Sequence, residues 1–201
     1  MQQHSDWLLG FQDETWWSRF EQPHLSTWTE RNQPLRLVEQ VKQPTDLDRK
    51  ALACYGLLAR FRGDDGQAQE QMWLRFVQDR PVSAITLQFL AWCCAQAQAL
   101  GKAVLVLIWD NASWHISKVV RHWIRQHNQQ VKRLGIGVRL LVCPLPVKSP
   151  WLNPIEPKWV HGKRRIAEAD RTLSAQEMMQ RVCATFDCPL VDHLSIPEQV
   201  A

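Results

Sequence analysis

Several functional classes leave no mark on this sequence. No apolar run approaches the roughly 18 residues of a membrane span, and the opening MQQHSDW has neither the basic nor the apolar region of a secretory leader. A cytoplasmic chain without membrane contact is expected. Glycine is scarce at 8 residues, and the chain contains no G-x-x-x-x-G-K-[ST], no G-x-G-x-x-G and no G-x-S-x-G. Those absences remove the loops that cradle nucleotide phosphates and the elbow that presents a serine nucleophile. The six cysteines, at 54, 93, 94, 143, 183 and 188, form no C-x-x-C pair, which suits buried reduced thiols better than a disulfide framework or a zinc ribbon. Cys183, Cys188 and His193 fall close together, but the spacing is wrong for zinc and a fourth ligand is lacking. Internal repeats and low-complexity segments are also missing.

What is present is an ordinary globular composition. With 45% hydrophobic and 22% charged residues in 201, the chain has enough apolar material for one sizeable core and is not of the disordered class. The net charge of +4 is modest but uneven. Lys148, Lys158, Lys163, Arg164, Arg165 and Arg171 stand against three acids between 148 and 171, so this stretch is either a patch for phosphate backbones or a solvated helix face.

The hydrophobic period places the elements. Residues 7–20 (WLLGFQDETWWSRF) read as a strand or hairpin arm that breaks at Asp13-Glu14. Pro23 and Asn32-Gln33-Pro34 punctuate a loop around Trp28, and RLVEQV and KALACYGLLARF follow as strands, the second apolar enough to be central. RGDDGQAQEQ is a hairpin turn leading into MWLRFV. From Ser83 the period becomes helical and ends at Leu100-Gly101. AVLVLIWD is a strand buried on both faces, and a helix from about Ser117 groups Val119, Val120, Trp123, Ile124 and Val131 on one side. RLLVCPLP is a last strand, and SPWLNPIEPKWVHGKRRI opens a helix with Asn153 as N-cap, Pro154 first and Glu156 third. Ser174 to Glu177 form a capping box for a final short helix, beyond which the chain is expected to fray from Phe186. Strands alternating with helices make a mixed α/β layout, with helices covering a sheet.

Chemistry concentrates at strand ends. Asp110 closes a central strand, where open α/β sheets place their ligand crevice; it either caps the next turn or binds a ligand. Glu156 either bonds back to the Asn153 cap or meets Asp110 at one sheet edge, if their strands are neighbours. Asp13 then supplies a third carboxylate. Three carboxylates on one edge are what two hard divalent ions need to stabilise the attacking and leaving oxygens of a phosphoryl displacement.

WDNASWH and PLPVKSPWLNPIEPKW resemble the catalytic core of DDE transposases of the mariner superfamily, in particular its bacterial insertion-sequence branch. Those enzymes carry a D-N-x-x-x-H strand end, matched by Asp110-Asn111 and His115. They also carry a P-x-x-S-P-x-L-N-P-I-E-x-x-W helix start, matched by Pro146, Ser149-Pro150, Leu152 to Glu156, and Trp159. Their first acid, written D-E, matches Asp13-Glu14, and Trp28 also has a counterpart.

The resemblance covers about residues 7–166. It implies a ribonuclease H-like fold: a mixed sheet of about five strands flanked by helices, with residues 1–170 as the catalytic domain and 171–201 as a helical tail. It implies Asp13, Asp110 and Glu156 as the catalytic residues and as ligands of two Mg²⁺ or Mn²⁺ ions. The implied reaction is cleavage of a phosphodiester at a transposon end, followed by attack of the freed 3′-hydroxyl on target DNA. Asn111 and His115 are expected to orient the site or touch DNA, with a core or capping role as the alternative. Lys158, Lys163, Arg164 and Arg165 are expected to meet the DNA backbone. Most tryptophans are expected in the core, with Trp114 and Trp151 as candidates for base stacking.

Two departures stand out. Residues 111–155 make the spacing between Asp110 and Glu156 45 residues, longer than usual in that superfamily, with RQHNQQVKRLGIG as the natural place for the extra length. The helix-turn-helix region that reads transposon ends there has no match here, so a separate chain or an upstream segment is expected to supply it. A homodimer on DNA in the bacterial nucleoid is a further expectation from the resemblance. Two other readings remain: a non-catalytic DNA-binding fragment, and a stand-alone metal-dependent nuclease.

Overall fold

The computed structural model describes residues 4–20, 41–78, 80–167 and 171–196. Among them the order is β1 (Trp7–Ser18), β2 (Ala51–Arg62), β3 (Ala68–Val77), α1 (Ser83–Ala99), β4 (Val104–Trp109), α2 (Lys118–Leu134), β5 (Arg139–Pro144), α3 (Glu156–Ile166) and α4 (Ala175–Thr185). The strands form one five-stranded sheet in the order β3-β2-β1-β4-β5. The pairs β3·β2 and β2·β1 are antiparallel, and β1·β4 and β4·β5 are parallel. This is the mixed, helix-flanked sheet expected of a ribonuclease H-like fold. The segments around Trp28 and most of RLVEQV lie outside the described residues. No described helix is long and apolar enough to cross a membrane.

The sheet is covered on both faces, and side-chain alternation along each strand assigns residues to one face or the other. On one face Tyr55, Leu57, Ala59 and Phe61 of β2 and Leu105, Leu107 and Trp109 of β4 pack with Ile85, Phe89, Leu90 and Cys93 of α1 and with Val120 of α2. On the opposite face Trp17 of β1 and Cys54 and Leu58 of β2 pack with Ile155, with Trp159 and Ile166 of α3, and with Met178, Met179 and Val182 of α4. That double burial explains why β2 and β4 lack a polar face.

The structure corrects several local expectations. β1 does not break at Asp13-Glu14: it pairs with β2 continuously from Leu9 to Ser18 and is the middle strand of the five, with β2 central as expected, between β1 and β3. The hairpin turn is shorter than RGDDGQAQEQ. It closes with Gly63 N–H bonding Gln67 O and Gly66 at φ 74°, and Ala68–Gln71 already belong to β3. Val119 is 58% exposed and lies off the α2 face that carries Val120, Trp123 and Ile124 against the core.

Helix α3 starts later than expected. Residues 150–152 form a short 3₁₀ turn, Asn153 is extended, and the α-helix begins at Glu156. The described segment beyond Phe186 is not frayed. Leu194 bridges to Val77 with backbone bonds to Phe76 and Gln78 of 2.8 and 2.9 Å, and its side chain is 2% exposed. The capping box at Ser174 and Glu177 is as expected.

Candidate active site

Strands β1, β4 and β5 are parallel, so their C-terminal ends share one edge of the sheet. Pairing of β1 with β4 stops at Phe11 and Ile108, while β1 continues along β2 to Ser18. Asp13 therefore stands just past the point where β4 leaves β1, Asp110 follows the last residue of β4, and Glu156 opens α3. This divergence opens a crevice at the strand ends, the usual ligand position in such sheets. A cavity of about 380 Å³ there is lined by all three carboxylates, with Asn111, Lys148 and Asn153 among its other walls. The 45-residue spacing does not keep the acids apart, because residues 125–134 extend α2 away from the crevice.

The three carboxylates differ in environment. Burial, then the charges of Glu156 and Glu14, raise the Asp13 carboxyl to about 7, although a hydrogen bond from Trp159 opposes the rise. That bond, Trp159 Nε1 to Asp13 Oδ2, is 2.9 Å long. Burial and the Asp110 charge raise Glu156, and Lys163 pulls it down. Asp110 goes the other way: the hydrogen bond from His115, helped by the Ala112 N–H, holds it below the usual carboxylate range. Both donors reach Oδ1, at 2.8 and 2.9 Å, which leaves Oδ2 without a hydrogen bond among the described residues.

Beneath Asp110 lies a buried relay that sequence reasoning only partly anticipated. His115, 1% exposed, donates from Nδ1 to Asp110 and from Nε2 to Glu14 Oε1, the latter at 2.9 Å. Burial disfavours charge on this ring, yet the bonds to Asp110 and Glu14 outweigh it and push its pKa up to about 9. The imidazole stacks on Trp109, with centroids 4.5 Å apart and planes 6° apart. Glu14 Oε1 also accepts from Gln12 and from Trp114 Nε1. The expectation of a DNA contact does not suit His115, which has almost no surface. Trp114, committed to Glu14 and edge-on to His115, is a poor stacking platform, whereas Trp151 is 74% exposed. Asn111 lies at the surface and ties its loop to the end of β5 by a 2.7 Å bond to Leu145 O.

Asn153 does not cap a helix. It is 2% exposed and donates to Gln12 O at 3.0 Å, fastening the approach to α3 onto β1. Glu156 thus has no cap to bond back to, and the capping alternative for this residue fails. Among the basic residues of α3, Lys158 is engaged by Glu70 at 2.6 Å, and Arg164 and Arg165 are exposed. Lys148, on the crevice wall, adopts φ 58°, a left-handed conformation that costs a non-glycine residue about 1–2 kcal/mol. Such strain concentrates where a site needs a particular loop shape.

No three His, Cys, Asp or Glu side chains among the described residues close around a single point, so the carboxylates form an open set, not a cage. An open all-oxygen set fits a hard cation that keeps waters and accepts substrate oxygens, as Mg²⁺ and Mn²⁺ do. Burial first, and carboxylate repulsion second, raise Asp13 and Glu156, and a bound cation would offset both.

Glu14 and Trp159 were the residues missed as parts of the site. Both sit inside the motifs already noted, D-E and E-x-x-W, and that adjacency was the available signal.

A family model described as "DDE superfamily endonuclease" matches residues 68–180. No curated protein matches the chain. Among solved structures, the Mos1 transposase paired-end complex with left transposon end is 15% identical over 92% of this chain, with a TM-score of 0.61. The Mos1 mariner paired-end complex with Mn is 14% identical, also over 92%, with a TM-score of 0.58. A further paired-end complex with Mg is 15% identical over 90%, with a TM-score of 0.56. At these identities the likeness is one of fold. The match covers 48% of each of those chains, so this chain spans about half their length.

Proposed function

The chain belongs to the DDE superfamily endonucleases, and from that membership we propose that it is the catalytic part of a transposase, cutting and joining DNA at insertion-sequence ends. The observation that carries this reading is the meeting of Asp13, Asp110 and Glu156 in one crevice. We propose residues 1–170 as the catalytic domain, with 171–201 as a helical tail that buttresses it.

In this reading Asp13, Asp110 and Glu156 hold two Mg²⁺ or Mn²⁺ ions, a use supported by the solved Mos1 complexes with Mn and Mg. Bound there, the ions supply activation of a water or hydroxyl nucleophile and neutralisation of charge on the phosphate. The protein's own contribution is placement. Trp159 fixes Asp13, His115 and the Ala112 N–H fix Oδ1 of Asp110 and so aim Oδ2, and Asn153 holds the start of α3, with Glu156, against β1. Rigid ligands spare the site reorganisation at the moment of reaction. Lys148 is placed to meet a phosphate entering the crevice. Lys163, Arg164 and Arg165 extend basic surface from Glu156 along α3 as sequence-blind contacts, Lys158 joins them if DNA displaces Glu70, and Asn111 and Trp151 lie at the rim. The Mos1 structures contain transposon-end DNA, which supports DNA as the partner here. End recognition by a helix-turn-helix region, dimerisation on DNA, and a bacterial, nucleoid location complete the proposal.

The test uses the purified chain. Mn²⁺ titrated by calorimetry into wild type, Asp13→Ala, Asp110→Ala and Glu156→Ala should bind the wild type and weaken at least tenfold in each variant. Mn²⁺-dependent nicking of supercoiled plasmid should disappear with it. Equal binding by all four proteins would sink the catalytic reading and leave a DNA-binding fragment. Robust cutting of unrelated DNA with no joining would favour a stand-alone nuclease.

A further inference from the structure

Helix α2 has a charge pattern that its own stability does not explain. From Asp110 to Glu156 the intervening residues include no Asp or Glu, and α2 alone carries Lys118, Arg121, Arg125, Lys132 and Arg133. At 100° per residue, Lys118, Arg121, Arg125 and Lys132 fall on one face, opposite Val120, and all four are exposed. Like charges three and four residues apart repel along a helix. A cation in the first turn, where α2 has no acid, also opposes the helix dipole.

Exposed helix faces that serve only solubility mix both signs in i,i+4 pairs. Elsewhere among the described residues several cations are paired with acids: Arg19 with Asp46, Arg60 and Lys158 with Glu70, and Arg171 with Glu177. None of the four α2 cations has an acidic partner among the described residues. A local arrangement that costs stability without an internal compensation points to an external one.

We propose that the outer face of α2 is a docking ridge for the phosphate backbone of double-stranded DNA, separate from the basic surface of α3. This rests on the reading that the crevice acts on DNA, and adds where the flanking duplex lies. The stripe from Lys118 to Lys132 spans 14 residues, about 21 Å at 1.5 Å per residue, which matches roughly six base pairs of duplex at 3.4 Å each. Its first cation follows Ser117, the N-cap after the loop that holds Asp110. The ridge therefore begins at the crevice and leads away from it on the α1 side of the sheet, while α3 covers the other side. A duplex entering the crevice is met by cations on both flanks. Phosphate contacts of this kind set position and carry no sequence information.

The test measures how binding of a labelled 30-base-pair duplex of arbitrary sequence depends on KCl concentration, by fluorescence anisotropy in EDTA with the whole chain. Each lost phosphate contact lowers the slope of log K against log salt by about 0.9. Replacing Lys118, Arg121, Arg125 and Lys132 together by Gln, itself a good helix former, should lower the slope by about 3 to 4 and weaken binding at least tenfold at 100 mM salt. The singles Arg121→Gln and Lys132→Gln should each lower it by about 1, which keeps the test decisive if the fourfold variant misfolds. Unchanged slopes, or a wild type that binds no duplex, would overturn the ridge. Asp110→Ala separates the two readings: it should lose Mn²⁺ binding yet keep the full salt slope. The fourfold variant should keep Mn²⁺ binding and show the slope lowered by about 3 to 4.

Discussion

Asp13 shows how a carboxylate can be held against its own charge. With its carboxyl raised to about 7 by burial, Glu156 and Glu14, it is costly to ionise in the folded state and ordinary in the unfolded one. A carboxyl whose folded pKa lies above its unfolded value subtracts stability at pH above both, and the cost fades as pH falls through the folded value. Without divalent ions, Asp13→Asn should therefore be more stable than wild type at pH 8, by on the order of 3 kcal/mol, with the gap closing toward pH 4. Urea unfolding at a series of pH values reads this directly, and a gap that widened on acidification would contradict the assignment. Protons and metal compete for the same oxygens, so Mn²⁺ affinity should fall by up to about tenfold per pH unit below 7. The His115 relay makes a second residue-scale prediction. Removing one partner of a buried charge pair costs about 3–5 kcal/mol, and groups that orient metal ligands are worth about 10–100-fold in affinity. His115→Ala should show both losses, and adding Glu14→Gln should cost much less than the sum of the single changes, since the two residues act as one unit.

At the scale of elements, the crevice exists because neighbouring strands part and a helix start is pinned across the gap. Trp159 can reach Asp13 only because Gly56, the register partner of Asp13, leaves room: a Cβ there would lie 2.3 Å from the Trp159 ring. Gly56→Ala should push the indole away, break its bond to Asp13, and weaken Mn²⁺ binding while the sheet persists. The checks are Trp fluorescence and calorimetry, with unaltered metal affinity as the opposing result. Asp110 and Glu156 were legible as site residues because strand ends and helix starts announce themselves through local patterns. The Asn153 cap was misread for a related reason. Asn before Pro resembles a cap locally, but burial against β1 recruits its amide for Gln12 O instead. The supposed break at Asp13-Glu14 had the same origin: polar residues inside a strand look like an interruption until the partner strand shows that pairing continues.

For the molecule as a whole, two cores share one sheet, so the tail is structural even though the chemistry lies elsewhere. Met178, Met179 and Val182 of α4 pack in the same core as Trp159. Beyond α4 the chain returns to β3 and α1, where Arg75 of β3 and Gln88 of α1 hold the Asp192 and Ser195 carbonyls at 2.8 and 2.7 Å and Leu194 is buried. Leu194→Ala should cost about 2–4 kcal/mol in denaturant unfolding; a change under half of that would mean the segment is only loosely attached. Composition and period by themselves determined the mixed α/β class and the order of most described elements, and they pointed to Asp110 and Glu156 as candidates, because amphipathic period, caps and strand ends are written in residues close together in the chain. Only the tertiary structure decided that β1 is central, that Trp159 and Asn153 serve β1 across some 140 residues, that His115 is sealed between Asp110 and Glu14, and that the α2 cations stand without acids beside them. Those relations depend on which surfaces meet after folding, and contacts between residues far apart in sequence leave no local period from which to read them.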